Sequence, residues 1–311
     1  MADAKVCQMI GGQAVIEGVM MRSKTCYAMA VRNPANGIVV VKNALASTAG
    51  RSKIYSLPII RGVVALVDSM KLGIKLMTKS ADIAMEDAVK EPQTKFEKWL
   101  EAKLGDRLAD VMVVVSMVIA LVMGVGLFML LPAVIASFTN PIIGEHTWAL
   151  GVFEGVLRIG ILVAYIALIS RLKDIKRVFQ YHGAEHKCIN CLESSRELTV
   201  ENVMDCSRLH KRCGTSFLLF VMIISMAVFF FVRTDVVVLR LAMRIVLVPV
   251  IAGLSYEVIR WAGRSDSRFV KLVSVPGMWL QHMTTKEPDP EQVEVAITAL
   301  NEVLEDLPVV A

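Results

Sequence analysis

Long runs without charged residues dominate the middle and later parts of the chain. The longest, residues 111–138, exceeds the roughly 20 apolar residues that a helix needs to cross a bilayer. Three further runs, at residues 149–170, 217–232 and 236–259, are predominantly apolar and predict additional spans. The pattern therefore predicts an α-helical polytopic membrane protein with about four transmembrane helices.

The N-terminal region instead shows short apolar runs separated by turn residues. Residues 27–32 and 38–42 are runs of β type, and the intervening sequence NPANG is typical of a turn. We expect a β-hairpin here, with a third strand from the preceding sequence GGQAVIEGVMMRS. Residues 57–78 place charged and apolar side chains on different helical faces. This pattern predicts an amphipathic helix that lies in the membrane interface or packs on the cytoplasmic part.

A further amphipathic helix is predicted in the C-terminal tail. Asp289 is a favourable N-cap, Pro290 suits the first helical position, and Gln292 completes a capping box. Apolar residues recur along one face of this segment, so we expect the helix to dock on a cytoplasmic surface.

The distribution of basic residues predicts the orientation of the spans. Lys and Arg cluster at the outer flanks of the spans and in the 171–213 loop, whereas the 138–148 and 233–235 connections hold one basic residue between them. The positive-inside rule then places both termini and the 171–213 loop in the cytoplasm. We therefore expect a multi-pass protein of the cytoplasmic membrane.

This orientation divides the chain into three parts. Residues 1–108 are expected to form a cytoplasmic N-terminal segment, residues 109–260 the membrane domain with its 171–213 loop, and residues 261–311 a cytoplasmic tail. The cytoplasmic parts together are expected to form a small mixed α/β region.

The composition agrees with a membrane location and argues against nucleic acid as a partner. Hydrophobic residues make up 55% of the chain, above the roughly 45–50% of soluble domains. The net charge of +5 is mild, and no basic run is interleaved with aromatic residues. Nucleic-acid binding is therefore not expected, and the lipid membrane is the partner that the sequence predicts.

Metal-binding residue types are concentrated in the predicted cytoplasmic loop. Four of the six cysteines and three of the five histidines fall between residues 182 and 213. All the cysteines lie on the predicted cytoplasmic side, where a reducing environment disfavours structural disulfides. Nitrogen and sulfur ligands at this density predict a transition-metal site.

The sequence YHGAEHKC supplies the first candidate ligands. If the second span continues as a helix, His182 and His186 project to one side and can bind one divalent ion, with zinc as the expected metal. His210 and Cys213 return to the same membrane surface and are candidates for the remaining ligands. Glu185 is the candidate general base toward a water that the metal activates.

Four other residues are open between structural and functional roles. Cys188 and Cys191 form a Cys-x-x-Cys pair, which could add two ligands or act as a redox pair of lowered pKa. Glu17 is either an outward-facing strand residue or a further ligand or base. Glu257 is a candidate carboxylate in or beside the ligand shell.

Charged residues also occur inside the predicted spans, where they are costly. Glu154 and Arg158 are four residues apart on one helical face, so we expect them to form an ion pair. Arg244, in the last span, needs a partner or water.

The motifs as a set resemble a known family. The sequences GGQAVIEGVMMR, LPIIRGVVALVDSM, YHGAEHKCINC, HKRCGTSF and SYEVIR, together with the tail, resemble the YqhQ-like family of bacterial membrane proteins over essentially the whole chain. That family is a domain of unknown function whose members are labelled predicted metal-dependent enzymes. The resemblance implies no substrate, but it implies that the main candidate residues lie in family motifs: Glu17, His182, Glu185, His186, His210 and Cys213.

Three functional hypotheses are compatible with these features. The leading one is a metal-dependent membrane enzyme, such as a hydrolase, with its active site at the cytoplasmic membrane face. A transporter or ion-handling protein would instead use the charges inside the spans, although four spans without an inverted repeat make a small transporter unless the chain forms a homo-oligomer. A membrane scaffold with a structural metal would have a closed site of four protein ligands.

Overall fold

A computed structural model describes most of the chain, in two compact units. The first unit comprises Met1–Asp87, Val163–Ser225 and Val246–Ala311, and the second comprises Ala88–Leu162 and Met226–Ile245. The described residues are 10–33, 35, 37–45, 53–86, 103, 105, 108–138, 147–210, 213–231, 237–262 and 268–306. Three features named from the sequence lie outside them: Cys7, most of the 138–148 connection and the 233–235 connection.

The N-terminal residues form an antiparallel sheet of four strands in the order β1-β2-β3-β4. The predicted hairpin is confirmed as β3 and β4. The segment expected to add one strand forms two, because Glu17 adopts a left-handed backbone conformation (φ 52°) where the chain reverses between β1 and β2. The strands are β1 (Gly11–Val15), β2 (Gly18–Arg22), β3 (Cys26–Asn33) and β4 (Gly37–Ala44).

Helices form most of the remaining described structure. The amphipathic helix predicted over residues 57–78 is confirmed, although it begins at Ile60 and extends to Ala84. A 3₁₀ helix (Lys53–Ser56) precedes it, and a π-helical turn (Gly126–Leu130) joins the second and third helices. In chain order the helices are α1 (Ile60–Ala84), α2 (Leu108–Val125), α3 (Leu131–Phe138), α4 (Thr147–Ile169), α5 (Lys173–Glu193), α6 (Val200–Met204), α7 (Thr215–Phe230), α8 (Val237–Ala262), α9 (Arg268–Thr284) and α10 (Pro290–Glu305).

Within the described ranges, three helical segments are long and apolar enough to cross a membrane: Val111–Ala136, Ala149–Ile169 and Ala242–Trp261. The run predicted as the third span forms α7, whose apolar part, Leu218–Phe230, is shorter. The 16 residues of α7 rise about 24 Å at 1.5 Å each, less than the roughly 30 Å hydrocarbon core of a bilayer. The structure therefore gives three helices of membrane length where the sequence predicted about four.

The second predicted span does not continue into the His-rich segment as one helix. Helix α4 ends at Ile169, the chain turns at Ser170 and Arg171, and Leu172 is extended (ψ 135°) before α5 begins. The condition of a continuous helix, under which the sequence analysis placed the two histidines, is therefore not met. His182 and His186 nevertheless share α5, so their helical spacing is retained.

The sheet lies between two helical layers in the first unit. On one face, Leu76 of α1 packs in a cluster with Met20 and Met29. On the other face, Met21 and Ala28 pack in the same core as side chains of α5 and α10. Successive strand residues point to opposite faces, and here both faces are covered. This burial explains why β2 and β3 are almost continuously apolar.

Helix α10 begins as the sequence predicts. The Asp289 carboxylate accepts a hydrogen bond from the backbone N–H of Gln292 (2.8 Å), and the Gln292 side chain accepts one from the Asp289 N–H (3.1 Å). Pro290 occupies the first turn, so the predicted capping box is confirmed. Beyond this cap, Val293 and Leu300 are fully buried, which confirms that the helix docks through its apolar face.

We predict that Leu300→Ala destabilises the protein by about 2–5 kcal/mol, because it opens a cavity between α10 and the sheet. Thermal unfolding of the purified full-length chain in detergent measures the effect. The matched control is Asn301→Ala at the adjacent exposed position, where a change within about 0.5 kcal/mol is expected. Equal effects of the two substitutions would contradict the packing of α10 on the sheet.

Candidate metal centre

Helix α5 brings the candidate ligands together because it packs closely against the segment before α10. A Cβ atom on Gly183 would overlap the backbone carbonyl of Lys286, so glycine is required at this contact. The Lys286 N–H donates a hydrogen bond to the Phe179 carbonyl (2.8 Å) at the same place. With α5 fixed there, the rings of His182 and His186 lie one turn apart, with centroids separated by 4.4 Å.

Both imidazoles are oriented by backbone carbonyls. His182 donates from Nδ1 to the Thr284 carbonyl (2.8 Å), and His186 donates from Nδ1 to the Arg208 carbonyl (2.7 Å). Because a carbonyl can only accept, Nδ1 carries a proton in each ring, and Nε2 is the nitrogen that remains to face a ligand. Metal-ligating histidines are commonly oriented by a hydrogen bond from their other ring nitrogen in this way.

Cys213 supplies the third converging atom. Its Sγ lies 3.2 Å from His182 Nε2, and the backbone N–H of Thr215, the first residue of α7, donates to the sulfur (3.4 Å). The ligand atoms of His182, His186 and Cys213 all lie within 4.8 Å of one another. Two imidazole nitrogens and one sulfur form a donor set that zinc accepts.

The loop that contributes the Arg208 carbonyl is held by polar side chains of α5. The buried ammonium of Lys187 donates to the carbonyls of Met204 (2.7 Å) and Cys206 (2.9 Å). Asn190 donates to the carbonyls of Ser207 (2.6 Å) and Leu209 (3.0 Å). These bonds fix the backbone that orients His186. The sequence analysis did not identify Lys187 or Asn190, because their partners are backbone atoms of a distant loop, which no sequence spacing indicates.

Burial keeps His186 in the form that binds metals. Desolvation lowers the pKa of its imidazole, and the hydrogen bond with Cys213 opposes this effect only in part. The ring is therefore neutral near pH 7, as a ligand must be.

Glu185 is a buried carboxyl group beside the cluster. Its Oε2 has no hydrogen-bond partner among the described residues. Desolvation raises its pKa, and the nearby His182 and His210 oppose this shift. A Cβ on Gly12 of β1 would collide with this side chain, so the strand is packed directly on the carboxyl. One oxygen of this buried carboxyl therefore accepts no hydrogen bond from any residue that the structure describes.

His210 lies next to the cluster, but its ligand atoms are not part of the converging group. Its ring centroid is 5.7 Å from that of His186, and its Nε2 is 3.4 Å from a carboxylate oxygen of Glu193. The backbone of His210 exchanges two hydrogen bonds with the side chain of Gln281 on α9 (2.9 Å each). The structure therefore places His210 beside the three candidate ligands, where it pairs with an acidic side chain.

The two outlying candidate carboxylates each pair with an arginine. Glu17 contacts Arg177 and accepts a hydrogen bond from the Tyr181 hydroxyl (3.3 Å), whose pKa is raised by burial. Glu257 forms a bidentate pair with Arg61 of α1. Neither carboxylate belongs to the group of converging ligand atoms.

Cys188 and Cys191 face away from the candidate ligands. Both are fully buried in the apolar core that α5 forms with the sheet and α10. Burial raises the pKa of Cys188, and it raises the pKa of Cys191 to about 11. The hypothesis of a redox pair with lowered pKa was therefore wrong, because a thiol inside an apolar core is held in its neutral form.

Comparison with known proteins gives a family and one curated relative. The model of the family described as protein of unknown function (DUF1385) matches residues 57–306. The "Uncharacterized protein YqhQ" of Bacillus subtilis (strain 168) is 38% identical over 305 residues, which cover 98% of this chain and 95% of that protein. No solved structure matches the chain. The resemblance to the YqhQ-like family is confirmed.

The raised pKa of Glu185 predicts a pH-dependent effect of Glu185→Gln on the metal-free protein. An acid whose folded pKa lies above its unfolded pKa, ordinarily about 4.3, favours folding below that value and loses this contribution as the pH rises. Glu185→Gln removes the ionisable group. At neutral pH we therefore expect the metal-free variant to have a higher Tm than metal-free wild type.

The same difference in Tm should become small as the pH falls below about 4, because the carboxyl is then mostly protonated in both the folded and the unfolded state. Thermal unfolding after treatment with a chelator, over a series of pH values, measures it. A neutral-pH Tm of the variant below that of wild type would show that the ionised carboxylate is stabilised in the folded protein.

Proposed function

The chain belongs to the DUF1385 family of proteins of unknown function, and we propose that it is a metal-dependent membrane enzyme, a hydrolase, acting at the cytoplasmic membrane face. The observation behind this proposal is a single juxtaposition. Three ligand atoms from His182, His186 and Cys213 converge beside a buried carboxyl, Glu185, that has an oxygen without a hydrogen-bond partner in the described structure.

Among the described residues three candidate ligand atoms converge, and this number favours a catalytic role for the metal over a structural one. Structural zinc sites are closed by four protein ligands, whereas catalytic sites have three and leave a position for water or substrate. His210, the candidate for a fourth ligand, pairs with Glu193 instead. A bound zinc ion would supply Lewis-acid activation of water or of a substrate oxygen.

Glu185 is the residue we assign as general base. A base works best when its pKa lies near the operating pH, and the burial of Glu185 shifts its pKa upward from that of an ordinary glutamate. Glu185 lies on the same helix as His182 and His186, and the two imidazoles are held by their Nδ1 hydrogen bonds. Glu185 would accept the proton of a water molecule that attacks the substrate.

The proposed membrane arrangement places this site at the cytoplasmic surface. The three helices of membrane length, together with the shorter α7, would form four spans, with both termini in the cytoplasm according to the distribution of Lys and Arg. Cys213 lies two residues before α7, and α5 follows α4 after a short turn. The ligands would therefore lie where the second and third spans enter the cytoplasm.

We predict that purified wild-type protein contains about one equivalent of a divalent transition metal, and that His182→Ala/His186→Ala removes it. Losing two of three ligands leaves one donor, which is too few for stable binding. The matched control is His282→Ala on α9, an exposed histidine, which should retain the metal. Inductively coupled plasma mass spectrometry measures the content. A wild-type protein that contains no metal and takes up none on reconstitution would refute the proposal.

We further predict that Glu185→Gln keeps the metal but lowers turnover about 10²–10⁴-fold, the usual contribution of a general base. Turnover is measured by screening ester, phosphoester and peptide substrates with the metal-loaded protein. Glu201→Gln, an exposed carboxylate on α6, is the control and should behave as wild type. Full activity of Glu185→Gln on any substrate found in this way would rule out the assigned base.

A further inference from the structure

A second buried polar cluster lies in the other compact unit and is independent of the metal centre. Glu154 and Arg158 of α4 and Arg244 of α8 are only 6%, 4% and 5% exposed. The Glu154 carboxylate accepts hydrogen bonds from Arg158 (2.8 Å) and from both terminal nitrogens of Arg244 (2.5 and 2.9 Å). The predicted Glu154–Arg158 pair is thus confirmed, with Arg244 as an additional partner.

The cluster contains one more positive charge than negative charges. Two guanidinium groups face one carboxylate, and arginine does not lose its proton in proteins. The helices that hold them contribute two of the apolar segments of membrane length, where an unbalanced charge is costly. No second carboxylate among the described residues contacts either guanidinium.

The remaining neighbours of the two arginines reduce this cost without adding a negative charge. Arg158 Nε donates to the Phe128 carbonyl (2.8 Å). The guanidinium carbons of Arg158 and Arg244 lie 5.2 and 5.0 Å from the centroid of the Phe229 ring, which is the geometry of a cation–π interaction. A carbonyl dipole and an aromatic face stabilise a cation, but the cluster keeps a net charge of one.

Unused hydrogen-bond donors also remain in the cluster. Each guanidinium has five N–H donors. Arg158 uses one to bind Glu154 and one to bind the Phe128 carbonyl, and Arg244 uses two to bind Glu154. Arg244 Nε is buried and has no hydrogen-bond partner in the described structure. An acceptor with a negative charge would satisfy both the donors and the charge.

A small cavity lies where such an acceptor would bind. Glu154 and both arginines line it together with Gly151, Met226 and Phe230, and its volume is about 20 Å³. Gly151 and Gly155 both line the cavity; Gly151 leaves open space there, whereas a Cβ on Gly155 would overlap the Met226 side chain. A cavity of this size holds one water molecule or a monatomic ion, and it is too small for a phosphate group or a lipid head group.

We propose that this cavity binds a single halide-sized anion, chloride under physiological conditions, which Arg158 and Arg244 hold beside Glu154. Binding brings the net charge of the cluster to zero and supplies the missing acceptor. The anion therefore stabilises the packing of α4 against α8, and the stability of this unit depends on the chloride concentration.

The test is thermal unfolding of the full-length protein in detergent at constant pH and ionic strength, with chloride titrated against gluconate. A ligand that binds only the folded state raises Tm in proportion to the logarithm of its concentration above Kd. We expect this logarithmic rise in Tm with chloride and bromide but not with phosphate. Equilibrium dialysis with radioactive chloride should give about one ion bound per chain.

Substitutions that change the net charge of the cluster provide a second test. Arg244→Gln leaves one guanidinium and one carboxylate, so chloride binding and the chloride-dependent rise in Tm should both be lost. Glu154→Gln raises the net charge to two, so the rise in Tm should become larger than in wild type. Arg171→Gln, an exposed arginine outside the cluster, is the control and should match wild type.

Two results would overturn the proposal. The first is a wild-type Tm that is equal in chloride and gluconate, together with no chloride retained in dialysis. That result would show that the three side chains bind one another without an anion. The second is stabilisation by phosphate rather than halide. If Arg244→Gln does not fold, the wild-type dialysis and the Glu154→Gln titration still decide the question.

Discussion

The close approach of α5 to the segment before α10 is the contact on which the candidate metal centre depends. It requires glycine at position 183, where a side chain would collide with the Lys286 carbonyl. This contact places the Thr284 carbonyl against His182 and keeps α10 packed on the sheet. The ligand geometry is therefore determined by residues about one hundred positions apart in the chain. The C-terminal tail is part of the site, although it contributes no ligand atom.

Helix α5 carries two candidate ligands on one face and apolar core residues on another, and this explains which predictions from the sequence succeeded. His182 and His186 were predictable because their spacing along one helix fixes their proximity. The role of Cys188 and Cys191 stayed open at the sequence level, because the spacing of a Cys-x-x-Cys pair does not reveal that its face of α5 is buried against the sheet and α10. Local patterns also predicted the capping box of α10 and the hairpin of β3 and β4, since both depend on neighbouring residues.

Features that depend on distant residues could not be predicted in the same way. The pairing of Glu17 with Arg177 and of Glu257 with Arg61 joins elements separated by more than 150 positions. Lys187 donates hydrogen bonds to the backbone carbonyls of Met204 and Cys206. Such contacts cannot be predicted from the sequence, because every residue has a backbone carbonyl. Arg244 was recognised as needing a partner, but that the partner is Glu154 follows only from the packing of α4 and α8.

The two buried polar clusters differ in the chemistry they suit. The candidate metal centre combines two imidazoles, of which His186 has a lowered pKa, with a cysteine and a carboxyl of raised pKa, and this set of groups suits proton transfer beside a metal. The arginine cluster has a fixed positive charge and no group that titrates easily, which suits binding of an anion. Catalysis is accordingly assigned to the first cluster alone.

X-ray absorption at the metal edge of the purified, metal-loaded protein tests the central claim most directly. The proposed ligands predict a shell of nitrogen atoms at about 2.0–2.1 Å and one sulfur at about 2.3 Å for zinc. Cys213→Ser should remove the sulfur shell, whereas Cys206→Ser, which alters a half-buried cysteine outside the cluster, should leave it unchanged. A spectrum with no sulfur in wild type, or one in which Cys213→Ser retains it, would contradict the assigned site.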